Sequence, residues 1–346
     1  GNLAFEASVP MAGDAWSERP LGGKLAVDVP DLAVLQPFVK GVDAVQGAVQ
    51  ARFTLAGTAG TPRAEGSATL ERGHLHVPAL GITVSDVHAR VDGTSADALA
   101  IHVQATSGKG VLNIDGTARF PDGKPDVALT VAGDDVQVAD MADARVWISP
   151  RLAFAQNAEG LRLTGTVQVP KADITPRKIA GNAIGASNDQ VLVGADAPSN
   201  SAPLPLTAQV TVSLGDAVTF EGFGLKSRLG GEVTALDEPG GAGTRGRGEL
   251  QLIDAVYRAY GQELKLETGR ILFNGGLINE PTIDLRASRQ PREGISVALH
   301  VRGTLVQPTF DLSSSPPMPR EQQLGWLLFG RPIDGGGLLL RSNVGC

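Results

Sequence analysis

The chain has 346 residues, of which 42% are hydrophobic but only 4% are aromatic, and it contains 44 glycines and 22 prolines. So many small residues and chain breaks favour a sheet with numerous turns over one thick globular core. The net charge of -7 is not accompanied by a basic stripe, which argues against nucleic acid as a partner.

Neither an internal disulfide nor a membrane-spanning helix is predicted. The single cysteine is Cys346, and one thiol cannot close a disulfide within the chain. No run of about 18 apolar residues is present to cross a bilayer, and no signal peptide is visible. Because the chain opens in mid-pattern at Gly1–Phe5, we expect an export signal or membrane anchor upstream of it.

Alternation of apolar and polar residues is the dominant pattern and predicts an all-β protein. Successive side chains of a strand point to opposite faces, so each alternating segment has one apolar face. Such segments include Ile101–Ala105, Leu250–Leu252, Leu264–Leu266 and Ile295–Val301. Breaks of Gly, Asp, Asn and Pro recur about every 8–12 residues and predict roughly 25–30 short strands in series. Asp115–Gly116 is interpreted as one such break, and Asp134–Asp135 as lying in a turn.

A loose repeat indicates stacked sheet units. Gly57–Thr58 ends one apolar segment and is followed by Pro62, and Gly303–Thr304 ends another and is followed by Pro308 at the same spacing. Self-similarity of this kind is typical of elongated, repetitive architectures. We therefore divide the chain into a repetitive groove segment, residues 1–160, and a C-terminal β region, residues 161–346, with no firm boundary between them.

Two candidate helices and two candidate loops interrupt the strand pattern. The candidate helices are Pro30–Val39 and Pro319–Phe329, and the second begins with a proline near its first turn. Residues 180–205 and 237–248 are rich in Gly, Pro and small polar residues, which predicts flexible connections.

The sequence offers no convincing cofactor, metal or catalytic motif. Gly241–Gly246 fits the dinucleotide pattern G-x-G-x-x-G, but an acidic turn precedes it and an alternating strand follows, where a cofactor site needs a strand and then a helix. His74 and His76 share a strand face, with Glu71 as the one carboxylate nearby, whereas a closed metal site usually needs four ligands. No G-x-S-x-G nucleophile elbow is present. We predict no enzyme activity, no metal and no cofactor.

From about residue 160 onward the chain resembles the C-terminal region of the TamB family. The segments that carry the resemblance follow one another in the family's order. They are Val169–Pro176, Ser187–Val193, Leu214–Leu225, Leu229–Gly231, Tyr257–Gln262, Leu264–Leu266, Gly269–Gly275, Asn279–Arg289, Val301–Thr304, Pro308, Ser315–Pro317 and Leu324–Arg331. Each is weak by itself, and their order over about half the chain makes the resemblance specific.

The resemblance implies an elongated, curled sheet, a β-taco with an open, apolar groove and a β-helix-like course. It also implies a bridge across the periplasm of a Gram-negative bacterium, anchored in the inner membrane through an N-terminal segment absent from this chain. The expected partners are phospholipid acyl chains and a BamA-like outer-membrane barrel protein. Two activities are associated with such proteins: phospholipid transport to the outer membrane, and assembly of outer-membrane proteins such as autotransporters.

The alternation pattern supplies candidate residues for the groove and for a contact with a partner or membrane. The candidate lining residues share an apolar strand face: Ile101, Val103, Leu250, Leu252, Leu264, Leu266, Ile271, Phe273, Ile283, Leu285, Val297, Leu299 and Val301. The candidate contact residues crowd the second helix: Leu324, Trp326, Leu327, Leu328 and Phe329. Packing of that helix into a core is an equally good interpretation.

Two alternatives to lipid transport remain open at the level of the sequence. Unpaired edges of an open sheet can take up a strand from a client, which favours a protein-assembly factor. A structural or carbohydrate-active β-helix would need an acidic cluster that one sequence cannot reveal. If a second sheet covered the apolar face, the face would be an ordinary core.

Overall fold

The computed structural model describes residues 2–8, 20, 22–58, 62–93, 98–176, 204–259, 261–304 and 306–332. Within these ranges sixteen strands form one sheet, in which strand order follows the chain. The strands are β1 (Asn2–Ser8), β2 (Gly22–Val29), β3 (Asp43–Gly57), β4 (Pro62–Val77), β5 (Ile82–Gly93), β6 (Ala98–Arg119), β7 (Asp126–Asp140), β8 (Ala144–Asn157), β9 (Gly160–Ile174), β10 (Leu206–Gly222), β11 (Leu225–Asp237), β12 (Arg245–Ala259), β13 (Gln262–Leu277), β14 (Thr282–Arg292), β15 (Ile295–Thr304) and β16 (Pro308–Ser315). The predicted all-β, curled sheet is confirmed.

The strands are longer and fewer than predicted because several apparent breaks lie inside them. Asp134–Asp135 interrupts the register between β7 and β8 but stays within β7. Asp135 has φ 51, a left-handed conformation that Asp tolerates better than most residues. Asp86 in β5 and Asp254 in β12 repeat the arrangement, with φ 50 and 52. These aspartates mark bulges and not turns.

Most of the register shifts lie beside one another across the sheet, on a line that we call the crease; the shift of β12–β13, at Arg245/Arg247, lies away from this line, near the start of β12. Each strand pair from β3–β4 to β14–β15 contains such a shift. A bulge bends its strand and increases the local twist. Bulges repeated in neighbouring strands therefore bend the whole sheet along one line.

β6 doubles back near Gly108, seven residues before the break that the sequence analysis placed at Asp115–Gly116. Its residues 99–107 pair with β5 and its residues 108–119 pair with β7. His102 and Asp115 are 13 residues apart in the chain, but His102 Nδ1 and Asp115 Oδ1 lie only 2.7 Å from each other. In an unbent strand they would be about 40 Å apart.

The loose repeat corresponds to hairpins. Gly57 pairs with Pro62 at the β3–β4 connection, and Gly303 pairs with Pro308 at the β15–β16 connection.

In contrast, β9 and β10 are parallel, with Leu206 opposite Leu161. Parallel neighbours require a crossover connection. That connection, like most of the predicted loop 180–205, lies outside the described residues.

The two predicted helices are present. Leu32–Phe38 is a 3-10 helix, and the Asp31 side chain accepts a 2.9 Å hydrogen bond from the Ala33 N–H at its start. Arg320–Phe329 is an α-helix, α1, which begins after Pro319 and has Glu321 in its first turn, where the helix dipole favours an acidic residue. Gly330 ends it in the left-handed conformation, φ 68.

Candidate apolar groove

One face of the sheet carries an unbroken row of residues without charge or side-chain polarity. Strand pairing places these residues opposite one another across β9 to β16. We call this set the apolar row: Val169, Leu214, Gly231, Leu250, Ile271, Ile283, Gly303 and Pro308. Its seven inter-strand spacings of about 4.8 Å give a length of about 34 Å.

The neighbouring row, one residue along each strand, points to the opposite face and is polar. It runs through Gln251, Arg270, Asp284, Arg302 and Thr309. A shift of one residue therefore exchanges an apolar surface for an alternating set of charges, as the two-residue period of a strand requires. The sheet is two-faced over at least these strands.

The apolar face lies on the inside of the bend. Val169, Ala172 and Val218 form a buried cluster with exposures of 8%, 2% and 1%. Val169 precedes the register shift of β9–β10 and Val218 follows it, so side chains from both sides of the crease meet. Such contact is possible only on the concave side of the bent strands.

The concave side has no second sheet over it within the described residues, since all sixteen strands belong to one sheet. Of the apolar row, Leu214, Leu250 and Ile271 are half-buried, whereas Val169 and Ile283 are buried, at 8% and 6% exposed. Near the crease, polar side chains are satisfied: Ser107 Oγ donates a 2.6 Å hydrogen bond to the Gln137 carbonyl. No buried side-chain nitrogen or oxygen in the described part of the chain lacks a hydrogen-bond partner.

The predicted lining residues share the apolar face, but they lie in different parts of it. Leu250, Ile271 and Ile283 are consecutive members of the apolar row. Two residues along the strands from Ile283, Leu285 pairs with Val301 on the same face. Two residues along β13 from Ile271, Phe273 lies opposite Gly248. Leu252 lies beside Gly269, while Ile101 and Val103 pair with Val91 and Ala89 on the N-terminal strands. The remaining four, Leu264, Leu266, Val297 and Leu299, belong to a cluster under α1.

Helix α1 covers the end of this face. Trp326 and Leu327 are 7% and 2% exposed and pack with Leu264, Ala287 and Val297. Among the predicted partner or membrane contacts, these two side chains therefore face the sheet. Leu324 and Phe329, which flank the packed side of the helix, are 36% and 50% exposed, and Leu328 is partly buried.

The convex face carries cross-strand ion pairs. Arg228 and Asp254 lie 2.7 Å apart, and Arg145 and Asp173 lie 3.1 Å apart. Most of the charged side chains in such pairs are substantially exposed, so each contributes little to stability. The pKa of the Asp92 carboxyl is lowered because Arg90 donates hydrogen bonds of 2.6 and 2.7 Å to its two oxygens.

The motifs that the sequence analysis considered as chemical sites lie in a strand connection or within paired strands. Gly241–Gly246 connects β11 to β12, so a strand and not a helix follows it. His74 pairs with Gln46 and His76 with Asp43 across β3–β4. Within the described ranges, no three His, Cys, Asp or Glu side chains are grouped to hold a metal ion. The helices of the same part of the chain are all too short or too polar to cross a membrane.

Several residues of the apolar face were left out of the sequence analysis, although the same alternation marks them. Leu129 and Val131 of β7 pair with Phe154 and Leu152 of β8. The segments Val127–Val131 and Leu152–Phe154 alternate as regularly as those that were chosen. Applying the alternation rule uniformly would have found them.

Comparison of the sequence with known proteins identifies a family and a relative. The family model of the TamB C-terminal domain matches residues 102–345. A relative from Haemophilus influenzae, the "Translocation and assembly module subunit TamB", is 24% identical over 343 residues, which cover 94% of this chain and 26% of the relative. The chain thus spans about a quarter of the length of that relative.

Proposed function

Because the chain belongs to the TamB family, we propose that it forms part of a bridge across the envelope of a Gram-negative bacterium and guides phospholipid acyl chains along its concave face. The proposal rests chiefly on the apolar row, which continues across eight strands without a charged side chain. It requires no catalytic group, because guiding a lipid makes or breaks no covalent bond.

The free energy of acyl-chain binding comes from removing methylene groups from water. Each buried methylene contributes about 0.8 kcal/mol. Leu214, Leu250, Ile271 and Ile283 offer similar apolar side chains, with Gly231 as a gap between the first two, so a chain shifted along the row keeps many of the same contacts. A polar side chain facing the groove would create a barrier, and the apolar row has none. The surface therefore holds an acyl chain while allowing it to slide.

The direct test places a photo-crosslinking amino acid at two neighbouring positions of β12. Leu252 belongs to the apolar face, whereas the exposed Gln251 belongs to the polar row. After irradiation with phosphatidylethanolamine–phosphatidylglycerol vesicles, we expect phospholipid adducts at 252 and few at 251. Equal labelling at both positions, or none at 252, contradicts the proposal.

A second candidate function is assembly of outer-membrane proteins with a BamA-like barrel partner. It is favoured by β16, which has β15 as its one strand neighbour and so leaves a backbone edge free among the described residues. Exposed strand edges can pair with a strand of another chain. The printed name of the Haemophilus relative also refers to translocation and assembly.

Proline substitutions on β16 test this second function. Successive N–H groups of a strand point to opposite edges, so of Phe310→Pro and Asp311→Pro, one removes a donor from the free edge. If the edge binds a barrel partner, that variant alone loses binding in a pull-down with the purified barrel protein while keeping its fold. Retained binding by both folded variants argues against edge pairing.

A further inference from the structure

The final part of the apolar face is occupied by the protein itself. Helix α1 lies against β14, β15 and β16. Beneath it, Val297 is fully buried, and Leu266, Leu299 and Leu312 pack against the same cluster. Farther upstream, Leu250 and Ile271 of the same face remain half-buried. The covered residues Leu264, Ala287 and Val297 lie four to seven residues along their strands from Ile271, Ile283 and Gly303 of the apolar row, so the helix occupies the position of an acyl chain that would spread from the row across this part of the face.

The helix is attached by a small set of polar contacts. The Arg289 side chain, which lies on the apolar face opposite Val297, donates hydrogen bonds of 3.3 Å to the carbonyls of Trp326 and Leu327. The last turn of α1 has no basic residue of its own, so Arg289 satisfies carbonyls that would otherwise end unpaired. Arg292 lies 5.7 Å from the centre of the Trp326 ring, within cation–π range.

The sheet beneath the helix is complete without it. β13 to β16 pair through backbone ladders, interrupted by the register shifts of β13–β14 and β14–β15, in which α1 takes no part. α1 has 10 residues, fewer than an isolated helix needs to be stable in water. Its fold thus depends on the sheet, whereas the strand ladders do not depend on the helix. Losing the helix contact would expose the face and leave the ladder in place.

We propose that α1 is a reversible cover that competes with an acyl chain for the apolar face of β13–β15. This inference rests on the proposed lipid-binding function and adds its regulation: a lipid reaches the part of the apolar face around Val297 only when it displaces Trp326 and Leu327. The occupant is a hydrocarbon chain, since the displaced surface is made of aromatic and aliphatic side chains.

The test uses the 346-residue chain and a phospholipid with a diazirine in its acyl chain, with labelled positions mapped by peptide mass spectrometry. In the native chain, we expect labelling of β12 and little labelling of residues 295–299 of β15. The double variant Trp326→Ser/Leu327→Ser weakens the cover, so labelling of residues 295–299 should rise several-fold while that of β12 stays unchanged.

A matched control alters the same helix on its exposed side. Leu324→Ser/Phe329→Ser removes one aliphatic and one aromatic side chain that are 36% and 50% exposed. This control should label like the native chain. If it also uncovers residues 295–299, loss of helix stability and not loss of the cover explains the effect, and the inference fails.

Tryptophan fluorescence gives a second readout that does not disturb the cover. With Trp16 and Trp147 replaced by Phe, the remaining emission comes from Trp326. Titration with oleate should shift this emission to longer wavelength as the ring leaves its buried site. An unchanged emission while oleate binds upstream overturns the proposal, even if the double variant proves unfolded.

The outcomes separate the two proposals. No labelling of any strand refutes the lipid-binding function itself. Labelling of β12 together with equally strong labelling of residues 295–299 in the native chain keeps that function and refutes the cover. Absence of labelling at residues 295–299 in both the native chain and the folded double variant also refutes the cover.

Discussion

The apolar face of this sheet continues from β9 to β16, but its two parts have different surroundings. Over β10 to β13, Leu214, Leu250 and Ile271 are half-buried: Leu214 packs against the buried cluster at the crease, and none of the three belongs to the cluster under α1. Several residues along the same strands from the apolar row, the face is covered by α1, and Val297 is fully buried. Strand alternation alone thus does not decide whether an apolar face is a core or a binding surface. What packs on the face decides it: α1 at Val297, and the sheet's own bend at Val218.

The largest effect is expected from placing a charge in the covered part. Val297→Asp buries a carboxylate among Leu264, Trp326 and Leu327, and pairing it with Arg289 on the opposite strand would take that guanidinium away from the carbonyls of α1, so the free energy of unfolding should fall by about 3 kcal/mol or more. Urea denaturation followed by circular dichroism measures this loss. Ser313→Asp on the opposite, exposed face of β16 serves as the control and should change stability by about 0.5 kcal/mol or less.

A charge in the open part should affect binding more than stability. Ile271→Asp leaves the carboxylate partly hydrated, but an acyl chain passing over it would have to strip that water. Desolvating the carboxylate costs several kcal/mol, and about 1.4 kcal/mol corresponds to a factor of ten, so bound phospholipid should fall roughly tenfold or more. Lipid mass spectrometry measures the loss. Undiminished lipid content, or an equal loss in the exposed Lys265→Asp control, would contradict a groove at this row.

An intermediate effect is expected from removing the hydrogen bonds that hold α1 against the sheet. Arg289→Ala removes two hydrogen bonds to the carbonyls of Trp326 and Leu327, at a cost of about 1–3 kcal/mol to the docked helix. Hydrogen–deuterium exchange should accelerate in Arg320–Phe329 and stay slow in β12. Arg286→Ala, which breaks an ion pair with Glu267 on the convex face, should leave α1 protected.

The smallest effect is expected on the convex face. Arg228→Ala removes an ion pair with Asp254 in which the side chains are 45% and 79% exposed, so the free energy of unfolding should fall by less than about 1 kcal/mol. The difference from the native chain should shrink further at high salt, because salt screens exposed charges. A loss comparable to that of Val297→Asp would show that the convex face stabilises the sheet as much as the cover does.

Local patterns predicted the strands and their faces because both depend on neighbouring residues. Leu250, Ile271 and Ile283 were assigned to one face from alternation alone, and their pairing in one row agrees with that. Bulges escaped prediction because Asp135 and a turn aspartate look the same in sequence: both use the left-handed conformation that Asp tolerates.

Relations between distant residues were beyond local patterns. The parallel pairing of β9 with β10 depends on a crossover that no short motif marks. From the sequence, Trp326 was equally compatible with a membrane, a partner or a core. An apolar side chain is expected to be buried, but its type does not tell which surface buries it. The position of α1 over Val297 supplied that partner.

The central claim, that the open apolar row holds acyl chains, is tested most directly by the lipid content of the protein itself. The native chain and Ile271→Asp are purified from a Gram-negative host without detergent, extracted and analysed by mass spectrometry. We expect phospholipid in near-stoichiometric amount with the native chain and a marked loss with the variant. A native chain free of phospholipid, or a variant that retains all of it, would contradict the account.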